Sequence, residues 1–414
     1  MNVALVLLTH NPDEPAGVER GIASLADGLR ELGHRAIIIA AGPPTAADGP
    51  DTVRLETLTL SRPVVFDDVN IMPDDPDPLR QEVLSLMAEH EIDVACWTDA
   101  GVGLGYLGAA PTGVRTALMV YFLRVDEPMA MSLALKPDAV ISISDFLIDE
   151  AARAGLDSAG WHSLPNALLC PGDPPDHAVR EQLRQTGPVR ILARADPSKG
   201  VADLLKAYPE GFGRQVEIVL GEAAFELWPG MQRDMIAECR QLAATLPGVE
   251  ILPAISWTDA QPFLGGASVV LVPSTSPETF CNVAAEALSM GTPVVGYGFG
   301  HLPVLVGAAG RIVSLNVVGG FGHLPALTGA ALEMIDLDSG PARLWRATAD
   351  LLADRDIYHQ ASQQAPRQVA TQTPMAVAEE FLRITMGAER ADRSSGESGG
   401  GARGRRHDEA RSHP

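Results

Sequence analysis

Short apolar runs rich in β-branched residues alternate along this chain with longer amphipathic stretches, and the alternation comes in two blocks. The first block has strands at "VALVLLT", "RAIIIAA", "DVACWTD", "TALMVYF", "DAVISIS" and "GWHSLPN". The second has "RILARA", "VEIVLGE", "VEILPAI", "SVVLVPS", "PVVGYG" and "GRIV". Near-continuous apolar strands separated by helical stretches call for parallel sheets with helices on both faces. The expected fold class is therefore α/β, with two doubly wound parallel-sheet, Rossmann-like domains.

The blocks part at "CPGDPPDHAV", residues 170–179, where three prolines, a glycine and acidic residues interrupt the pattern. A chain of 414 residues also exceeds the roughly 250 to 300 at which a single core stops growing. The expected domains are 1–170 and 171–370. An amphipathic stretch, "TPMAVAEEFLRITM", gives a last helix over 371–386, and the Gly-, Ser- and Arg-rich 387–414 reads as a disordered tail.

Composition narrows the partners. The net charge of −22 argues against nucleic acid and anionic lipid, which select basic surfaces. The acid is concentrated early: residues 1–170 hold 10 Lys and Arg against 25 Asp and Glu, and residues 171–386 hold 15 against 23. That imbalance is a solvated acidic surface or a lure for a cationic small molecule. Four cysteines without a CxxC pair fit neither a zinc site nor a disulfide framework. With no basic leader and no membrane-length apolar run, a cytoplasmic location is expected.

Chemistry concentrates in "PSTSPETFCNVAAEALSMGTPVV", residues 273–295. A strand ends at Ser274, and a helix is predicted to begin near Glu278 or Thr279 and to run to Met290, stopped by Gly291. The amides of Thr279, Phe280, Cys281 and Asn282 then form an open helix N-terminus beyond the carboxyl end of a parallel strand, a place that suits phosphate. Glu278 and Glu286 are eight residues apart, about 12 Å of helix, too far to share one ion or proton. They can hold the two ends of an extended ligand, with Glu286 on ribose hydroxyls, a pyrophosphate at the helix start and Glu278 on sugar hydroxyls.

"RILARADPSKG" places Arg194 and Lys199 at the end of a neighbouring strand, where two cations could neutralise a departing diphosphate without a metal ion. Equally, Arg194 could pair with Asp196 and Lys199 be merely exposed. In "HNPDEPAGVERGIASLADGLRELGHRA" an amphipathic helix from about Val18 to Leu32 follows Gly17, which permits close backbone approach to a ligand or is a plain loop glycine. His10, Asp99, Arg124 and Asp126 are polar groups at strand ends, candidates for acceptor binding or for structure. "GLGYLG", Gly103 to Gly108, has dinucleotide-site spacing, but Pro111 interrupts the helix that should follow. "GFGHLP" occurs at Gly298 and again at Gly320, a local duplication without an assigned role.

The segments "GVERGIASLADGLRELGHRA", Pro165-Asn166, "RADPSKG" and "PSTSPETFCNVAAEALSMGTPVV", in that order and spacing, resemble the retaining GT-B glycosyltransferases of family 4. The resemblance covers residues 1 to about 386 and implies two domains facing each other across a cleft, the last helix crossing back onto the first. It implies a nucleotide-sugar donor, no cofactor and no metal ion. Arg194 and Lys199 would bind the diphosphate, Glu286 the ribose and Glu278 the donor sugar, with Gly17 closing the site from the acceptor side. Two positions depart from the family pattern. Tyr121, Phe122 and Arg124 stand where a histidine is common, and Val304 where a glutamate often follows "GGLP".

The expected reaction is front-face displacement with retained configuration, the leaving diphosphate drawing the acceptor proton, and Arg194, Lys199 and the helix amides stabilising the developing charge. A soluble acceptor, with a cationic one favoured by charge, suits specialised metabolism. An epimerase or sugar phosphorylase on the same scaffold, or a non-catalytic sensor of sugar nucleotides, are the competing readings.

Overall fold

The computed structural model describes residues 1–11, 17–42, 44–45, 48–58, 60, 63–65, 75–98, 111–170, 172–314 and 340–387. Asp99, the "GLGYLG" segment, the second "GFGHLP" and the tail from 388 lie outside the described residues.

All twelve expected strands form, in two parallel sheets. The first sheet has the order β3-β2-β1-β5-β6-β7-β8, from β1 (Asn2–Thr9), β2 (Arg35–Ala41), β3 (Thr52–Arg54), β5 (Val94–Trp97), β6 (Arg115–Val120), β7 (Ala139–Ser142) and β8 (His162–Ser163). The second has the order β12-β10-β9-β13-β14-β15, from β9 (Val189–Arg194), β10 (Val216–Gly221), β12 (Val249–Leu252), β13 (Val269–Val272), β14 (Val294–Tyr297) and β15 (Gly310–Val313). The strands are apolar on both sides because helices cover both faces: Leu5, Ile37, Ile39 and Leu118 in one sheet, and Val189, Ile218, Val269 and Val295 in the other, are fully buried. The fold is GT-B. Between the halves runs a two-stranded parallel ribbon of β4 (Val64–Val65) and β11 (Phe225–Glu226).

Helix α1 (Gly17–Glu31) buries Ile22, Leu25, Ala26 and Leu29, the stripe that a 3.6-residue period puts on one face. Its neighbour comes from the far end of the chain. Helix α13 (Pro374–Met386) starts with Pro at its first position and Thr373 accepting from the Ala376 amide, and it buries Val377, Phe381 and Ile384. The two helices touch so closely that a Cβ on Gly28 would stand 1.9 Å from the Pro374 carbonyl oxygen. The last helix thus returns to the first half.

Parallel strands place all their carboxyl ends along one edge of each sheet, where crevices open in doubly wound folds. Arg194 ends such a strand, and His10, Tyr121, Ser274 and Gly298 follow such ends.

Candidate functional site

Strand β9 ends at Arg194 and turns through a single 3-10 turn, Pro197–Lys199, closed by Gly200. Asp196 shapes the turn: its Oδ1 accepts from the Ser198 amide at 2.8 Å and from the Ser198 hydroxyl at 2.7 Å, and its Oδ2 takes the Arg194 guanidinium. Burial pushes the Asp196 carboxyl up, but the Arg194 charge and the Ser198 bonds outweigh it and hold the group below its ordinary value. Gly200 has φ +67°, and a Cβ there would stand 2.2 Å from the Pro273 carbonyl oxygen, so only glycine fits. The turn is tied to the loop after β13, because the Thr275 amide donates to the Ser198 carbonyl at 2.8 Å.

That loop carries Glu278. Its main chain forms a parallel bridge with Gly300, and the His301 amide donates to the Glu278 carbonyl at 2.7 Å. Gly300, in the first "GFGHLP", has φ +62°, and a Cβ would lie 2.2 Å from the Glu278 carbonyl oxygen. One role of that motif is therefore to seat the Glu278 segment. The Glu278 carboxylate receives Lys199 Nζ at 2.7 Å and the Ser274 hydroxyl. Burial raises its pKa, yet Lys199 and Ser274 together hold it below the ordinary value.

The helix expected from Glu278 or Thr279 begins later. Helix α9 spans Asn282–Ser289, with Cys281 as its N-cap at φ +79°. Pairing of Glu278 with Gly300, the bends at 279 and 280 and the left-handed Cys281 keep this segment out of the helix, a long-range contact that overrides local helix propensity. The amides remain available: among the described residues those of Thr279, Phe280, Cys281 and Asn282 donate to no backbone or side-chain acceptor, and the first return bond is Ala285 N–H to Cys281 O at 3.1 Å. Phe280 is buried against the His301 ring, centroids 5.8 Å apart, and burial pushes the Cys281 thiol up, leaving it an unreactive packing group.

The first half reaches this helix start at four points. Asn282 Nδ2 donates to the Gly17 carbonyl at 2.9 Å, and Asn166 Nδ2 donates to Asn282 Oδ1 at 2.9 Å. The Ser144 hydroxyl donates to the Thr279 carbonyl at 2.6 Å. Arg20, on α1, forms a buried ion pair with Glu286. Lys199, Glu278, residues 279–282, Glu286 and Gly17 are thus brought together by these contacts. Lys199 pairs with Glu278, and Arg194 pairs with Asp196 while its charge also acts on Glu278.

The acceptor candidates fare differently. Arg124 Nε donates to Asp126 at 2.7 Å, and Asp126 caps helix α3 (Glu127–Ala134) by accepting from the Met129 amide at 3.2 Å. Both have structural partners. His10 is 5% exposed, and burial followed by the Arg54 charge lowers its pKa to about 4, so it is neutral at neutral pH. Tyr121 is buried with its hydroxyl against Gly21, while Phe122 and Val304 are exposed. Among the described residues no cluster of His, Cys, Asp or Glu is placed to hold a metal ion, and no helix is long and apolar enough to cross a membrane.

Sequence reasoning missed Arg20, Ser144 and Ser274 as site residues. Arg20 left one trace: a charged residue adjoining the apolar stripe of α1, three positions after Gly17.

Residues 189–321 match the family model for "Glycosyl transferases group 1". A stretch of 73 residues is 47% identical to D-inositol 3-phosphate glycosyltransferase of Mycobacterium tuberculosis and of Mycobacterium bovis, 17% of this chain and 15% of the relative. The match therefore spans well under a fifth of those relatives' length. Among solved structures, HepE of Anabaena in complex with UDP-glucose superposes with a TM-score of 0.64 at 16% identity, covering 92% of this chain and 98% of that one. Sucrose-phosphate synthase from Thermosynechococcus elongatus gives 0.63 at 18% identity over 95% and 99%, and a glycosyltransferase from Rickettsia africae 0.62 at 15% over 93% and 98%. These similarities give the chain the GT-B fold over nearly its whole length and, within residues 189–321, a likeness to the group 1 glycosyl transferases.

Proposed function

We propose that this chain is a retaining glycosyltransferase of the family 4 type, moving a sugar from a nucleoside diphosphate to a small soluble acceptor. The observation that carries this reading is the Lys199–Glu278 pair at 2.7 Å, set beside four amides that donate to no described acceptor. Each of these two cations is neutralised by its own carboxylate: Lys199 by Glu278, Arg194 by Asp196. A nucleotide-sugar would divide the first pair. Glu278 turns to sugar hydroxyls, Lys199 moves to the diphosphate, and the amides of residues 279–282, at the positive end of α9, join it there.

As the glycosyl bond breaks, negative charge grows on the bridging phosphate oxygen, and Lys199 with those amides stabilises it more in the transition state than in the ground state. The acceptor attacks the same face and passes its proton to the departing diphosphate. Lys199 and the amides of residues 279–282 supply the charge that a divalent ion supplies in other transferases, so turnover is expected to survive a chelator. The acidic first half favours a neutral or cationic acceptor, in keeping with specialised metabolism in the cytoplasm.

Incubating the chain with UDP-, GDP- and dTDP-sugars and an acceptor panel in EDTA, with proton NMR of the anomeric signal, tests the reading. An α-linked donor giving an α-linked product supports it. Inverted product, conversion of donor with no acceptor, or dependence on inorganic phosphate contradicts it, the last two pointing to an epimerase and a phosphorylase.

A further inference from the structure

The two oxygens of Glu286 are in different situations. The residue is 3% exposed; its Oε1 forms an ion pair with Nη2 of Arg20, whereas its Oε2, like Nε and Nη2 of Arg20, is buried with no hydrogen-bond partner among the described residues. A buried carboxylate oxygen without a donor is costly unless something supplies one. Arg20 belongs to α1 in the first half and Glu286 to α9 in the second. Burial lowers the Arg20 pKa only to about 10, so the guanidinium is charged at neutral pH. The same face of the second half is held by Ser144, Asn166 and Gly17 from the first.

We propose that Arg20 is a positioning residue for the donor: by holding Oε1 it leaves Oε2 as the acceptor for a hydroxyl of the nucleotide ribose, so that a helix of the first half completes a ribose site in the second. This rests on the reading of Glu286 as the ribose contact. It makes donor affinity depend on the two halves being together, since Arg20 can reach Glu286 only across their interface. Donor binding and closure are then linked, each favouring the other.

The test compares UDP and GDP with their 2′,3′-dideoxy forms by isothermal titration, in the wild type, Arg20→Met and Arg20→Lys. The wild type is expected to bind the ribose form of its nucleotide about 10-fold or more tighter than the dideoxy form, the size of a hydrogen bond to a charged group. Arg20→Met is expected to lose most of that preference while its affinity for the dideoxy form changes by less than about 3-fold. Arg20→Lys keeps the buried charge and serves if the methionine variant does not fold; its preference should fall between the two. A variant that keeps the full ribose preference, weakens both forms equally, or binds the ribose form tighter overturns the proposal, the last because Arg20 would then be a competitor of the ribose. If the wild type itself shows no ribose preference, it is the assignment of Glu286 that fails, and the role of Arg20 falls with it.

Discussion

Lys199 and Glu278, 79 residues apart in the chain, meet at 2.7 Å because Gly200 lets the turn after β9 lie against Pro273 and Gly300 lets the loop after β14 lie against Glu278. Two glycines, each with positive φ, therefore bring the cation and the carboxylate together.

Replacing Lys199 by methionine should lower kcat/KM by about 100-fold or more, the usual cost of one transition-state charge donor. It should also change the pH dependence of stability. Glu278 has a folded pKa below its ordinary 4.5, so the pair stabilises the fold above that pH and the contribution is lost as pH falls through the lower folded value. The deficit of Lys199→Met against wild type, from urea midpoints, is expected to be largest near neutral pH and to shrink below about pH 4.5. A deficit independent of pH would contradict the pairing.

His10 gives a profile in another window. Its folded pKa of about 4 lies below its ordinary 6.5, so the unfolded chain takes up a proton first as the solution is acidified. Stability is lost between pH 6.5 and about 4, by about 3 kcal/mol from this group alone, and it is regained as pH rises. His10→Gln should flatten the curve of urea midpoint against pH in that window and leave it unchanged above.

Gly200→Ala places a Cβ against the Pro273 carbonyl and forces a left-handed residue, at a cost of about 2 kcal/mol or more. Because the turn presents Lys199, donor affinity should fall with the melting temperature. Unchanged donor affinity in a destabilised protein would separate the turn from the site.

Glu286→Leu leaves Arg20 buried and unpaired, which should destabilise the fold by about 3 kcal/mol or more. Adding Arg20→Met removes the stranded charge, so the double variant should recover most of the lost stability in a thermal melt while remaining unable to use donor.

The twelve strands were legible because parallel strands buried on both faces read as continuous apolar runs. The short β3, β4 and β11 were not, since runs of two or three residues carry no period. Lys199, Glu278 and Glu286 stood out by residue type and spacing, and Gly17 by its place at the start of α1. The start of α9 was misplaced by three or four residues because Glu278 pairs with Gly300, a contact that no local pattern encodes. Arg124 and Asp126 pair with each other, a contact that only three-dimensional geometry reveals. Arg20 was passed over because an arginine near a helix start ordinarily faces water, and its partner lies across the interface.

A crystal structure of the chain with UDP tests the central claim most directly. The account predicts the diphosphate within hydrogen-bonding distance of Lys199 Nζ and of amides in residues 279–282, with the ribose hydroxyls at Glu286 and Lys199 parted from Glu278. A diphosphate bound elsewhere, or a Lys199–Glu278 pair left intact with the nucleotide in place, would contradict it.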